Sequence, residues 1–192
     1  MIDEDHARAR VDAIMKHICE IKGAELVWMQ PRVMERAFEL RSGEDVLGTL
    51  RWNSISGSLA NAAAADGLWT FKRTGFFNPR ITVRAQGSDL DFAQFTPNWK
   101  SEGNLQLSTG QNFRWMGIGF WRAQWAFTKP NGEHLLEIEP HSSWLKKTAV
   151  VKPTPEGCRI PELSLLVLLG WYLVILRSDD DSAGAAVAAA CG

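Results

Sequence analysis

Near its C-terminus the chain reads IPELSLLVLLGWYLVILR, residues 160–177, and residues 163–176 carry no charge. Pro161 suits the first position of a helix, Glu162 suits the positive N-terminal pole of the helix dipole, and Arg177 suits its negative C-terminal pole. Large apolar side chains follow one another without leaving a polar face. A helix that is apolar all round is buried all round, so we expect residues 160–177 to form a helix enclosed on every side.

Either lipid or protein could enclose this helix. Residues 163–176 span roughly 21 Å at 1.5 Å per residue, well short of the roughly 30 Å hydrocarbon layer of a bilayer. A strand of about seven residues covers roughly 23 Å, so a closed sheet of such strands is long enough to surround the helix. We therefore expect the helix to run inside a barrel made by the same chain. A C-terminal membrane anchor is the alternative.

Residues 25–152 have the pattern of many short strands. Apolar and polar residues alternate in stretches such as 81–86 and 121–127, and turn signals such as Asp66-Gly67 and Pro130-Asn131-Gly132 separate the stretches. About a dozen antiparallel strands with turns at this spacing usually close into a barrel, because closure removes the unpaired edges. The chain of 192 residues, 45% of them apolar, suits one domain. We predict a mainly β fold: a closed antiparallel barrel of about twelve strands, residues 25–177, around the central hydrophobic helix 160–177.

The two termini are predicted to lie outside this barrel. Val11, Ile14, Ile18 and Ile21 recur at three- and four-residue steps, which predicts an amphipathic N-terminal helix within residues 1–24. We expect this helix to pack on the domain, and binding of a partner is its alternative role. Residues 178–192 are rich in Ala and Gly, and we expect a disordered tail there.

The cysteines and the N-terminus bear on the compartment. Cys19, Cys158 and Cys191 are odd in number and far apart, which does not indicate a disulfide framework, and Cys158 reads as a small apolar filler. The N-terminal residues lack the layout of a secretory signal. We therefore expect a cytoplasmic protein, with peripheral membrane attachment as a second possibility.

A chain of short antiparallel strands that ends in one intensely hydrophobic helix resembles the Tubby C-terminal-like superfamily, which includes Tubby-like proteins, phospholipid scramblases and LURP-one-related proteins. The resemblance covers residues 25–177 as an arrangement, with the run Arg32 to Trp52 and the helix Ile160-Pro161-Glu162 to Arg177 as its local matches. It implies a barrel of about twelve strands around the helix, and phosphoinositide binding by basic residues. The proline-rich N-terminus, the palmitoylated cysteine cluster and the calcium loop of scramblases are missing, so scramblase activity is not implied.

No catalytic constellation emerges from the sequence. It contains no Gly-x-Ser-x-Gly elbow, no metalloprotease motif and no cysteine with an identifiable histidine partner. We therefore expect a non-enzymatic binding module without cofactor or metal, which takes an anionic lipid head group, a hydrophobic ligand or a protein partner. A membrane-attached protein anchored by the C-terminal segment and an enzyme with its site at the barrel mouth are the alternatives.

One group of basic residues forms the candidate binding site. Lys72 and Arg73 fall on one predicted strand and Arg80 and Arg84 on the next, with two phenylalanines in the turn between them. Cations beside exposed aromatic residues suit a phosphoinositide or another anionic lipid. The formal net charge of the whole chain is −1, so general attraction to nucleic acid is not expected.

Overall fold

The computed structural model describes residues 15–21, 25–33, 35–75, 78–119, 124–142 and 146–190, without the side chains of 142 and 186–190. These residues form twelve strands and one long helix, α1, at Leu163–Ala190. The strands are β1 Leu26–Met29, β2 Ala37–Ser42, β3 Asp45–Trp52, β4 Ala60–Ala64, β5 Gly67–Thr74, β6 Arg80–Ala85, β7 Asp91–Pro97, β8 Gly103–Leu107, β9 Asn112–Ile118, β10 Gln124–Thr128, β11 His134–Ser142 and β12 Lys147–Pro153.

The twelve strands form one closed antiparallel barrel. Each strand pairs with the next along the chain, and β1 closes the ring by pairing with both β2 and β12, so that Val27 lies opposite Arg41 on one side and Val150 on the other. The period-two pattern accounts for the two faces: on β9, for example, Phe113 and Trp115 are buried while Asn112 and Arg114 are exposed. The predicted barrel is confirmed.

Helix α1 fills the barrel, as predicted from its uniformly apolar sequence. Residues 165–172 are buried, and the rings of Trp171 and Trp28 stack with centroids 5.9 Å apart. Gly170 permits a close approach to the wall, because a Cβ there would lie 2.6 Å from the Ile138 side chain and 3.1 Å from the ring of Trp115. The apolar segment, for which a membrane anchor was the alternative prediction, thus packs against the inner face of the barrel.

The helix bounds differ from the prediction. Ile160 is extended, and Leu166 makes an early helical hydrogen bond to the carbonyl oxygen of Glu162, so α1 begins at Leu163. At its other end α1 continues to Ala190, where residues 178–192 were expected to be disordered; that expectation is wrong for 178–190. Ion pairs hold the first turn beyond the barrel, and the alanines that follow have the highest helix propensity. Cys191 and Gly192 lie outside the described residues.

The N-terminal segment is tied to the barrel by a disulfide bond between Cys19 and Cys158, whose Cα atoms lie 5.7 Å apart. The interpretation of Cys158 as an apolar filler was therefore wrong. Disulfide bonds persist in oxidising compartments, so the cysteines give no support to the expected cytoplasmic location. The sequence could not show this pairing, since 139 positions separate the two cysteines and only the folded barrel brings them together.

Most of the predicted N-terminal helix lies outside the described residues. Within residues 15–21 the chain forms a single 3-10 turn, Ile18–Glu20, preceded by extended His17, so the predicted α-helix does not run through this part. Ile18 is buried against the barrel core. The burial of Ile18 and the disulfide bond together hold residues 15–21 against the barrel in a conformation that is not α-helical.

The two ends of the barrel differ. We call the end where α1 begins the entry end; its connections include tight turns, such as those containing Gly43 and Gly132, whose positive φ angles suit glycine. We call the end where α1 leaves the barrel the exit end. Its connections include residues 75–79 and 98–102 and the two longest between neighbouring strands, residues 30–36 and 53–59. No helix in the part of the chain that the structure describes has both the length and the apolar composition needed to cross a membrane.

Candidate functional site

The four basic residues predicted as a site lie on one hairpin, but they do not form one group. Lys72, Arg80 and Arg84 alternate with buried residues and lie on the outer face of β5 and β6, where Arg84 forms an ion pair with Asp91 at 2.7 Å. Arg73 faces the interior, opposite buried Ile81. The predicted site therefore divides between two faces of the barrel wall. Phe76 and Phe77 lie outside the described residues.

Arg73 instead belongs to a cavity of about 550 Å³ at the exit end. Three further cations line this cavity, namely Arg36 before β2, Lys146 before β12, and Lys147 at the start of β12, whereas Asp179 of α1 is the only carboxylate among the described residues of its lining. Four cations from separate parts of the sequence thus converge on one opening, in a chain whose formal net charge is −1.

Arg36 organises the rim of the cavity. Its Nη1 donates hydrogen bonds to the carbonyl oxygens of Ile55 at 2.8 Å and Gly57 at 3.1 Å, and its Nη2 donates to Asp179. The guanidinium also lies 4.7 Å from the centroid of the Trp52 ring, a favourable cation–π distance. These contacts hold the β3–β4 connection against the turn of α1 that carries Asp179.

The first turn of α1 outside the barrel pairs with the other cations. Lys147 Nζ lies 3.1 Å from Asp179 Oδ1, and Arg73 Nη1 lies 2.7 Å from Asp180 Oδ2. The hydrogen bond that Arg73 donates to Asp180 raises the pKa of this guanidinium, so it stays charged. Asp179 and Asp180 are therefore the groups that balance the positive charge of Arg36, Arg73 and Lys147.

The cavity also has an apolar wall. Phe38 lies on β2 and is buried, and the side chains that complete the wall are Val33, Ile55, Ile175 and Leu176. Below it, the hydroxyl group of Tyr172 donates a hydrogen bond to the carbonyl oxygen of Ser58 at 2.6 Å. Cations at the rim beside apolar side chains suit a ligand that carries both an anionic group and an apolar part.

Two of the most exposed large apolar side chains also lie at the exit end. Trp99 is 88% exposed and Ile55 is 83% exposed. The loop that carries Trp99 is held rigidly, because the side chain of Asn98 accepts hydrogen bonds from the backbone of Lys100 and Glu102. The Lys100 ammonium lies 4.7 Å from the centroid of the Trp99 ring. Leu90, 79% exposed, is a comparable side chain at the entry end.

Charge is distributed unequally between the two ends. Among the described residues of the segments that connect the strands and α1, the exit end carries Arg32, Arg36, Lys100 and Lys146 against Glu35 and Glu102. The corresponding segments of the entry end carry Lys129 and Arg159 against Glu44, Asp66, Asp89, Glu133, Glu156 and Glu162. The connecting segments of the exit end are therefore net basic, before the three aspartates of α1 are counted, and those of the entry end are net acidic.

A metal site was the other possibility that we considered for the residues that the structure describes. Within the described ranges, no group of three or more His, Cys, Asp or Glu side chains could hold a metal ion. Glu139 accepts a hydrogen bond from Lys152 at 2.8 Å, which lowers the pKa of this carboxyl group. His134 contacts Glu137 at 3.1 Å, away from the exit-end cavity.

Sequence reasoning found Arg73 but missed Arg36 and Lys147. Neither lies in a local motif, and only barrel closure brings β12 beside β1 and thereby close to the residues before β2. The run Asp179-Asp180-Asp181 was the one available signal, because a concentrated negative charge directly after an apolar helix needs cationic partners. In comparisons with known proteins, the chain matches no protein-family model, no curated protein and no solved structure.

Proposed function

We propose that the protein is a non-enzymatic binding module whose exit-end cavity takes the phosphate head group of an anionic lipid. The observation that carries this proposal is the convergence of Arg36, Arg73, Lys146 and Lys147 on one cavity that also has an apolar wall. The guanidinium group of arginine and the ammonium group of lysine are the usual protein donors of hydrogen bonds to phosphate oxygens. The apolar wall would contact the glycerol and the first acyl carbons of the lipid.

The surroundings of the cavity support a lipid surface as the source of the ligand. Exposed Trp99 and Ile55 lie at the same end as the excess of basic residues, and tryptophan beside lysine is typical of segments that sit at a membrane interface. The part of α1 that extends furthest from the barrel, residues 182–190, contains no charged residue. It could enter the interfacial layer without removing a charge from water.

We also propose that the chain is a distant relative of the Tubby C-terminal-like superfamily. A closed barrel of twelve antiparallel strands around a C-terminal helix is the arrangement which that resemblance implies. Phosphoinositides are accordingly the anionic lipids to test first.

The test is co-sedimentation with vesicles of phosphatidylcholine alone, or of phosphatidylcholine with phosphatidylinositol 4,5-bisphosphate or with phosphatidylglycerol. We expect binding only to the anionic vesicles, and at least a tenfold loss of affinity in the double variant Arg73→Gln/Lys147→Gln, which removes two cavity cations. Lys72→Gln/Arg80→Gln is the matched control, because it removes the same charge from the outer face of the barrel wall.

Calorimetry with soluble inositol 1,4,5-trisphosphate separates the head group from the lipid surface. Binding of the soluble head group together with the vesicles identifies the cavity as the site, whereas binding of the soluble head group alone assigns the cavity to a free phosphate ligand. Equal losses in the cavity variant and the outer-face control would reject the cavity, and no binding of any of these probes by the folded wild-type protein would reject the function.

A further inference from the structure

We infer that Asp179 and Asp180 form an intramolecular latch that occupies the cations of the exit-end cavity and must be displaced when an anionic ligand binds. This inference rests on the proposed function and concerns the regulation of the same site. The ligand would compete with these two aspartates for the same three side chains, Arg36, Arg73 and Lys147.

The geometry shows how completely the helix engages these cations. Asp179 accepts a hydrogen bond from Arg36 and lies 3.1 Å from Lys147, so one carboxylate joins the segment before β2 to β12. Asp180 accepts from Arg73 of β5 at 2.7 Å. Both oxygens of Asp179 and Oδ2 of Asp180 therefore stand where phosphate oxygens would have to bind.

Water reaches both carboxylates of the latch. The side chains of Asp179 and Asp180 are 38% and 57% exposed, so solvent weakens their ion pairs, and the pair of Asp179 with Arg36, whose side chain is 20% exposed, is the less screened of the two. A phosphate monoester carries about −1.5 to −2 charges at pH 7 and three acceptor oxygens, close to the charge of the two carboxylates together. One phosphate group can therefore take the place of both aspartates beside the three cations.

The part of α1 that would move when the latch opens is separate from the part that is fixed inside the barrel. Residues 163–176 of α1 are held by burial inside the barrel, whereas residues 181–185 are exposed. Release of Asp179 and Asp180 would therefore free only the helical extension, beginning near Ser178. We expect the amide hydrogens of residues 178–190 to exchange faster when inositol 1,4,5-trisphosphate is bound, while those of residues 165–172 stay protected.

The decisive variant is Asp179→Asn/Asp180→Asn, measured against wild-type protein with inositol 1,4,5-trisphosphate and with the phosphatidylinositol 4,5-bisphosphate vesicles. We expect its affinity to rise about 3- to 10-fold, because screened ion pairs no longer compete with the ligand. Asp181→Asn is the control for Asp179→Asn and Asp180→Asn measured singly, because each of the three removes one charge. The ion pair of Asp181 is with Arg177 of the same helix, at 3.6 Å. Circular dichroism and thermal unfolding verify that the variants are folded.

The outcomes separate the latch from the proposed function. A gain confined to Asp179→Asn/Asp180→Asn supports the latch. Wild-type affinity in that variant, or an equal gain in Asp181→Asn, overturns the latch and leaves the function standing. If wild-type protein and the variants are folded and none of them binds, the latch and the proposed function are both overturned.

Discussion

The hydroxyl group of Tyr172, in the middle of the central helix, donates a 2.6 Å hydrogen bond to the carbonyl oxygen of Ser58, in the connection between β3 and β4. The Tyr172 ring stacks on Trp52, with centroids 5.3 Å apart. This contact joins the barrel core to a loop that lines the exit-end cavity, so the position of the rim depends on a residue of the core.

Stability is expected to fall above about pH 10 because of Tyr172. Burial raises the pKa of this phenol, so the folded protein keeps the proton at a pH where the unfolded chain, with a pKa of about 10, loses it. The stabilisation is therefore complete below about pH 10 and decreases at higher pH, by up to about 1.4 kcal/mol per pH unit from this group. Urea unfolding at a series of alkaline pH values measures the slope.

Tyr172→Phe is the control for this pH dependence. Lysines with raised pKa values contribute a decrease of the same sign, and only the part due to Tyr172 should disappear in the variant. At neutral pH the variant should lose about 1 kcal/mol, the net value of one hydrogen bond. Tyr172 is the only tyrosine of the chain, so tyrosinate absorbance reports it alone. Tyrosinate that appears near pH 10 in the folded protein would contradict the expectation.

Removal of the disulfide bond by Cys158→Ser is expected to lower the free energy of unfolding by about 2–5 kcal/mol. The bond joins residues 139 positions apart, and closing so long a loop strongly restricts the unfolded chain. Thermal unfolding with and without a reductant measures the effect. Reduced wild-type protein and Cys158→Ser should unfold at similar temperatures.

Cys191→Ser provides the comparison for that variant, because it also removes a cysteine but leaves the bond between Cys19 and Cys158 in place. It should unfold like the oxidised wild-type protein. Non-reducing peptide mapping should recover a peptide that contains Cys19 linked to one that contains Cys158. A reductant that leaves the unfolding temperature unchanged would speak against a stabilising bond.

Truncation of Leu169 should be costly because its side chain is fully buried between α1 and the barrel wall. Leu169→Ala is expected to lose about 2–5 kcal/mol, and Leu169→Asp should not fold, since it would place an unpaired charge in an apolar interior. Leu90→Ala is the matched control at a leucine that is 79% exposed, and it should change stability by less than about 0.5 kcal/mol. A cooperatively folded Leu169→Asp protein would show that this side chain is not enclosed.

The barrel could be predicted because its signals are local and repeated. Alternation along segments such as β9 follows from the two faces of a strand, and the uniformly apolar run from Leu163 to Leu176 has to be enclosed. The end of α1 was misjudged for a related reason. Composition alone favoured a disordered tail after Arg177, whereas the ion pairs of Asp179 with Arg36 and of Asp180 with Arg73 join residues 143 and 107 positions apart.

The candidate site was predictable only in part. Strand alternation can place Arg73 on the face opposite to Lys72, but it does not reveal the partners of Arg73 on other strands. Arg36 and Lys147 come together because the ring closes between β1 and β12, a contact with no local trace in the sequence. The exposed Trp99 is another such case, since most tryptophans are expected in a core and its exposure follows from the loop that carries it.

By itself, the amino-acid sequence determined the alternation along several strands, an approximate number of about twelve strands and the need of the C-terminal helix for a dry interior, because neighbouring side chains encode these properties through burial. Tertiary structure alone decided the pairing of Cys19 with Cys158, the convergence of Arg36, Arg73 and Lys147, and their neutralisation by Asp179 and Asp180. These contacts join distant parts of the chain, and their energies act only after barrel closure has brought the partners within a few ångströms.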